Sequence, residues 1–185
     1  RTVGGIIQLG GTMLRTLRCP EFEKAESVEQ AAETLEMNEV DGLVVIGGDG
    51  SFRGALDLSR KSNALMVGIP ATIDNDVFGT EETIGFDTAV NTAVASIDKI
   101  RDTAISHERI FIVEVMGRKR GFLALEVGIS VGAEVILIPE HECKATQIVD
   151  VIKKNAQKGK RAGIIVAAEG VGDTSKLAKS IAKQT

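Results

Sequence analysis

Leu43-Val44-Val45-Ile46-Gly47-Gly48-Asp49-Gly50-Ser51 is the stretch whose reading decides the fold. Four consecutive apolar residues predict a parallel strand covered on both faces, and the glycines allow a tight turn or close backbone approach to a ligand. Ser51 is placed to cap a helix over about 52–61. Asp49 stands where strand-turn-helix sites aim backbone N–H groups and a helix N-terminus at phosphate. A carboxylate there repels phosphate unless a divalent cation lies between them, and magnesium is commonly held by one or two carboxylates plus substrate phosphates. On these residues alone two readings stand: a tight turn with a solvated Asp, or a metal-phosphate site.

Working outward, the apolar run 65–69 ends at Pro70 and gives a second strand, so 43–69 reads as a strand-helix-strand unit. In a right-handed parallel crossover both strands end at one sheet edge, which sets Asp49 beside the loop Ala71-Thr72-Ile73-Asp74-Asn75-Asp76. Paired carboxylates such as Asp74 and Asp76 disfavour joint ionisation and can raise one pKa toward that of a useful base. The competing reading is an Asx-type turn. Further on, helical spacing over 87–101 precedes a strand at 110–115, which empties into Met116-Gly117-Arg118 and a helix over about 119–131. Arg118 can bring planar, bidentate phosphate recognition to the same edge. A short strand at 135–138, a helix at 145–157, a strand at 164–167 followed by Glu169, and a helix at about 174–183 complete the chain. Before the first strand lie a glycine-rich entry holding Arg18 and Cys19 and a helix over 27–37.

Strands alternating with helices predict an α/β fold, a mostly parallel sheet with helices on both faces. The 185 residues, 43% hydrophobic and 26% charged, suit one ordinary domain with a substantial core. A net charge of −4 and 3% aromatic content, with no Trp or Tyr, argue against nucleic-acid partners and stacking platforms. No run approaches the roughly 18 apolar residues of a spanning helix, so no membrane role is expected. Cys19 and Cys143 stand far apart without metal-ligand spacing, which indicates neither a disulfide framework nor structural zinc and makes a reducing cytoplasm the default. His107 lacks any such spacing too and reads as a surface or structural group.

Phosphoryl transfer needs a metal, positive charge on the transferred oxygens and an acceptor for the hydroxyl proton. The edge supplies Asp49, Arg18 or Arg118, and Asp74 for these parts, with Thr72 as a hydroxyl donor. No Walker A motif is present.

Gly-Gly-Thr at 10–12, Arg18, Gly-Gly-Asp-Gly-Ser at 47–51, Thr-Ile-Asp-Asn-Asp at 72–76, Met-Gly-Arg at 116–118 and Glu169 together resemble the phosphofructokinase family along nearly the whole chain. The resemblance implies magnesium-ATP as donor and fructose 6-phosphate as acceptor, the sugar's 1-hydroxyl being phosphorylated in glycolysis. It assigns Asp49 to the metal, Asp74 to the general base, and Thr72 and Arg118 to the transition state. Gly11, Arg18, Cys19, Gly48, Asp49, Gly50, Ser51 and Gly54 would line the nucleotide site. Thr72, Asp74, Asp76, Met116, Gly117, Arg118 and Glu169 would hold the sugar phosphate, with Arg109 reaching a neighbouring subunit's site in a homo-oligomer, usually a tetramer in bacterial members. Arg101, Gly132, Glu134, Lys158 and Lys160 match an allosteric effector site, where Glu134 would coordinate the magnesium of an ADP activator.

Gly50 and Ala71 resemble the ATP-using type, since pyrophosphate-using members tend to carry Asp and Lys there; position 71 is Gly in well-known bacterial ATP enzymes. The family's first strand and glycine-rich loop would precede residue 1, and a His- and Arg-containing segment would follow residue 185. The chain 1–185 therefore reads as an interior part of a catalytic domain, holding the nucleotide-site portion and part of the sugar-phosphate portion, with little activity alone. Three alternatives remain: a pyrophosphate-dependent phosphofructokinase, a nicotinamide-dependent oxidoreductase that takes Gly48, Gly50 and Gly54 as a dinucleotide loop, and a noncatalytic nucleotide-sensing module. Asp49 argues against the oxidoreductase, which binds its dinucleotide without a metal.

Overall fold

The computed structural model describes residues 4–13 and 15–185. Its elements are α1 (Ala25–Met37), β1 (Gly42–Gly47), α2 (Asp49–Ser59), β2 (Leu65–Pro70), α3 (Phe86–Ser106), β3 (Ile110–Val115), α4 (Phe122–Ser130), β4 (Val135–Leu137), α5 (Ala145–Gln157), β5 (Gly163–Ala168) and α6 (Thr174–Ala182). Short 3-10 turns cover Pro20–Glu23 and Glu169–Val171. The expected α/β alternation is present, and the chain divides into two compact units. One comprises residues up to Val45 with Ser51–Val67; the other comprises Ile46–Gly50 with Gly68–Thr185.

In the larger unit β3, β5 and β4 form a parallel sheet in that order, with Ile110 opposite Gly163, Val115 opposite Ala168 and Leu137 opposite Ala167. All six residues of the central strand β5 are buried, as a strand covered on both faces requires. Alternation sends Ile164, Val166 and Ala168 to one face, against Phe86, Val90 and Ile97 of α3 and Leu123, Ala124 and Val127 of α4. Ile165 and Ala167 point the other way, against Ile148 and Val149 of α5 and Ile181 of α6. Each fully buried Ile or Val contributes roughly 1.5–3 kcal/mol, so this doubly covered sheet is the rigid part of the chain.

The smaller unit has its own core of Val28, Ala32 and Leu58, backed by Phe22, Leu35, Leu43 and Met66. Here one expectation is corrected. β1 is not covered on both faces: Val44 and Ile46 are 58% and 66% exposed, and Leu65 and Val67 of β2 are 77% and 59% exposed. Only the alternate residues reach the core. β1 and β2 form a sheet of their own, and they run parallel, since Leu65 N–H donates to Asp41 O and Ala71 N–H to Gly47 O with the same offset.

A second correction concerns the turn. α2 begins at Asp49, so Ser51 lies inside the first turn and is not the cap. A carboxylate at the first helical position meets the positive end of the helix dipole, which favours the earlier start. α4 starts later than expected, at Phe122, because Arg120 N–H donates to Gly117 O and holds 117–120 as a turn. α3 runs on to Ser106 and ends at His107, which is exposed at its C-cap, as a surface group should be.

Candidate active site

Within the larger unit the C-terminal ends of parallel strands set the site. β2 leads into 71–76, β3 into Met116-Gly117-Arg118, and β5 into Glu169. Gly47 O accepts the Ala71 N–H at 2.9 Å, which brings the turn before Asp49 alongside Thr72. A Cβ on Gly48 would lie 3.2 Å from Thr72 Cβ, so glycine is what permits the approach.

Asp74 is the centre of this edge. Its side chain is buried, the residue being 6% exposed, and its Oδ2 lies 3.4 Å from Arg118 Nε. Burial pushes the Asp74 carboxyl above the usual carboxylate range; Asp76 and Glu169 push the same way, while Arg118 and the Thr72 hydroxyl oppose them. The Asp74 N–H donates to Thr72 Oγ1 at 3.2 Å, which ties base and hydroxyl into one local turn. The Asx-turn chemistry considered from the sequence belongs to Asn75, whose Oδ1 accepts the Thr83 N–H at 2.9 Å.

Arg118 is held from behind. Its backbone sits at φ +53°, Gly117 before it at φ +135°, and its N–H donates to Glu169 Oε1. Gly121 N–H donates to Glu140 Oε1 at 3.0 Å, fixing the far end of the same turn. Gly170 lies so close that a Cβ there would fall 2.4 Å from Arg118 O and 2.8 Å from Pro139 Cγ. Gly170→Ala must displace that backbone and is expected to cost about 1–3 kcal/mol, read as a lower midpoint in thermal or urea unfolding. Neither Gly170 nor Glu140 was picked out from the sequence. The glycine directly after Glu169 was the available signal.

Asp49, Gly48, Thr72, Asp74, Asp76, Met116, Gly117, Arg118 and Glu169 thus belong to one unit. Gly11, Arg18, Cys19, Ser51 and Gly54 fall in the other. There Gly54 has a packing role, since a Cβ would meet the Phe22 ring at 3.3 Å. Cys19 Sγ lies 3.7 Å from Glu21 Oε2 on the surface. Arg109 precedes β3, at the opposite edge of the sheet from Arg118, roughly 20 Å away along a six-residue strand.

That opposite edge collects the residues assigned to an effector. A cavity of about 350 Å³ is lined by Arg101, Glu134, Gly159, Lys160 and Arg161 among others. Lys160 Nζ sits 2.6 Å from Glu134 Oε1, and the Ile164 N–H donates to Glu134 Oε2. The Glu134 carboxylate is therefore engaged at both oxygens, so a cation coordinated there would have to displace Lys160. The Arg101 guanidinium donates to Val131 O. Gly132 is left-handed at φ +60°, and Lys158 is the exposed C-cap of α5.

A family model described as Phosphofructokinase matches residues 1–185. The chain belongs to the phosphofructokinase family. An "ATP-dependent 6-phosphofructokinase" of Lysinibacillus sphaericus is 56% identical over 184 residues, which is all of this chain and 57% of that protein. The chain thus spans a little over half the length of the curated phosphofructokinases it matches. Among solved structures, the T-state phosphofructokinase of Pichia pastoris superposes with a TM-score of 0.85 at 36% identity, over 96% of this chain and 22% of that one. A pyrophosphate-dependent phosphofructokinase of Marinobacter aquaeolei superposes with a TM-score of 0.79 over 94% of this chain and 47% of its own, at 22% identity, a likeness of fold alone.

Proposed function

We propose that the full-length protein transfers the terminal phosphoryl group of ATP to the 1-hydroxyl of fructose 6-phosphate. The observation that carries the reading is the buried Asp74 carboxylate paired with Arg118 at the edge where Asp49 opens a helix. Asp74 takes the proton from the attacking hydroxyl as general base. Its raised pKa strengthens it as an acceptor. Arg118 orients that carboxylate and offers N–H groups to the developing charge, and the Thr72 hydroxyl donates to the moving phosphoryl. Asp76, Met116, Gly117 and Glu169 complete the sugar-phosphate side.

Asp49 is suited to a magnesium ion shared with nucleotide oxygens. It stands at the positive end of α2, and open space surrounds the position of a Cβ on Gly50. Among the described residues no three His, Cys, Asp or Glu side chains cluster to hold a metal alone, which fits a cation held partly by its ligand. When bound, magnesium neutralises charge on the phosphate oxygens. The same open space at Gly50 favours ATP over pyrophosphate, and the 56% identical relative is named for ATP.

Gly11, Arg18, Cys19, Ser51 and Gly54 belong to the nucleotide side on this reading. Arg101, Gly132, Glu134, Lys158 and Lys160 bind a regulatory nucleotide, and Arg109, directed away from its own chain's site, serves a neighbouring subunit in a homotetramer. No helix among the described residues is long and apolar enough to cross a membrane; a cytoplasmic location is part of the proposal. The test is donor preference of the full-length protein. With fructose 6-phosphate, kcat/KM for magnesium-ATP should exceed that for pyrophosphate at least about tenfold, a difference of ~1.4 kcal/mol in transition-state binding. Equal or better turnover with pyrophosphate would reverse the donor assignment.

A further inference from the structure

Among the described residues the buried polar or charged side chains are Asp74 and Thr83. The first is the proposed base, and the second is absent from every role above. A buried hydroxyl is costly unless it is hydrogen-bonded, so its partners show what it does. Thr83 Oγ1 donates to Thr72 O at 2.7 Å and lies 3.2 Å from Asn75 Oδ1. The Thr83 N–H donates to the same Asn75 Oδ1 at 2.9 Å, and Asn75 Nδ2 donates to Glu81 O at 3.2 Å. Ile84 N–H closes the strap onto Pro70 O at 2.9 Å. The residues tied down are those on either side of Asp74. Thr72 precedes it by two, and Asn75 follows it directly in a left-handed conformation at φ +52°, which few side chains other than Asn adopt readily.

We propose that Thr83 is a positioning residue: with Asn75 it clasps the backbone on both sides of Asp74 and so holds the Asp74 carboxylate at Arg118. The inference rests on the reading of Asp74 as general base and adds to it the group that fixes the base's direction. Near-attack geometry is sensitive to displacements of about 1 Å, which can cost of order 10²-fold in rate. A hydroxyl that sets the Thr72–Asn75 turn therefore acts on kcat without touching either substrate. The charged groups around the carboxylate are Asp76, Arg118 and Glu169, and of these only Arg118 favours its ionised form.

The test uses the full-length protein with Thr83→Val, which keeps the shape and removes the hydroxyl, and Thr83→Ser, which keeps the hydroxyl. Thr83→Val should lower kcat about 10–100-fold, with KM for fructose 6-phosphate and ATP within about twofold. The acid limb of its pH profile should move to higher pH as the carboxylate leaves Arg118, and Thr83→Ser should restore both. Asn75→Gly, which accepts the left-handed backbone but lacks the amide, should reproduce the lower kcat and the shifted limb, and it keeps the question answerable if Thr83→Val does not fold. Unchanged kcat in Thr83→Val or Asn75→Gly overturns the inference, as does a loss of kcat with an unmoved acid limb or without rescue by serine. An Asp74→Asn variant that keeps its kcat overturns the base reading first, so the two failures are told apart.

Discussion

Asp74→Asn in the full-length protein is expected to lower kcat about 10²–10⁴-fold, the usual range for a lost general base, with KM for fructose 6-phosphate changed by less than about threefold. Asparagine keeps the shape and can still face Arg118, so what is removed is the proton acceptor. Steady-state kinetics on the purified variant measure both constants, and retained kcat would sink the assignment. A melt separates lost chemistry from lost structure. Because burial raises the folded-state pKa of Asp74, the native state holds its proton more tightly than the unfolded chain does. The resulting stability is complete below the unfolded pKa and is lost as pH rises through the folded one. At neutral pH the ionised carboxylate therefore weighs against the fold, and the asparagine variant should melt at or above wild type there, with that advantage gone in acid.

Much of this edge was legible in the sequence because the chemistry sits at the ends of strands. Apolar runs at 43–46, 65–69, 110–115 and 164–167 mark strands, and parallel crossovers place whatever follows each on one edge. Asp74, Arg118 and Glu169 could thus be grouped before any coordinates. What stayed hidden depends on packing. The run Leu43–Ile46 looks the same whether one face or two are covered, so the open face carrying Val44 and Ile46 had no signature. Thr83 lies in the polar stretch Thr80-Glu81-Glu82-Thr83, where nothing distinguishes the one buried residue from its exposed glutamate neighbours. Gly54 was grouped with the phosphate glycines of its loop, yet its lack of a side chain serves Phe22. Glu134 reads as an available carboxylate, while in the fold Lys160 and the Ile164 N–H already occupy it.

Arg118 carries the other large effect, and charge and geometry can be separated there. Arg118→Met removes both and should lower kcat about 10²–10³-fold, the scale of losing one preorganised donor to the developing charge. It should also move the acid limb of kcat/KM. Arg118 is the one charged group that pulls the Asp74 carboxyl downward, against burial, Asp76 and Glu169. Without it the pKa rises further, the base is protonated at a higher pH, and the limb shifts upward. Arg118→Lys keeps a cation on the same left-handed backbone, fixed by Glu169 and Gly117. Its ammonium is a compact point charge without the planar fork and without a nitrogen at the Nε position that meets Asp74 Oδ2. Lysine should therefore return the limb most of the way toward wild type and leave most of the kcat loss in place. Full rescue of kcat by lysine would mean that positive charge alone suffices at this position, and an unmoved limb in Arg118→Met would mean that the 3.4 Å pair does not tune the base.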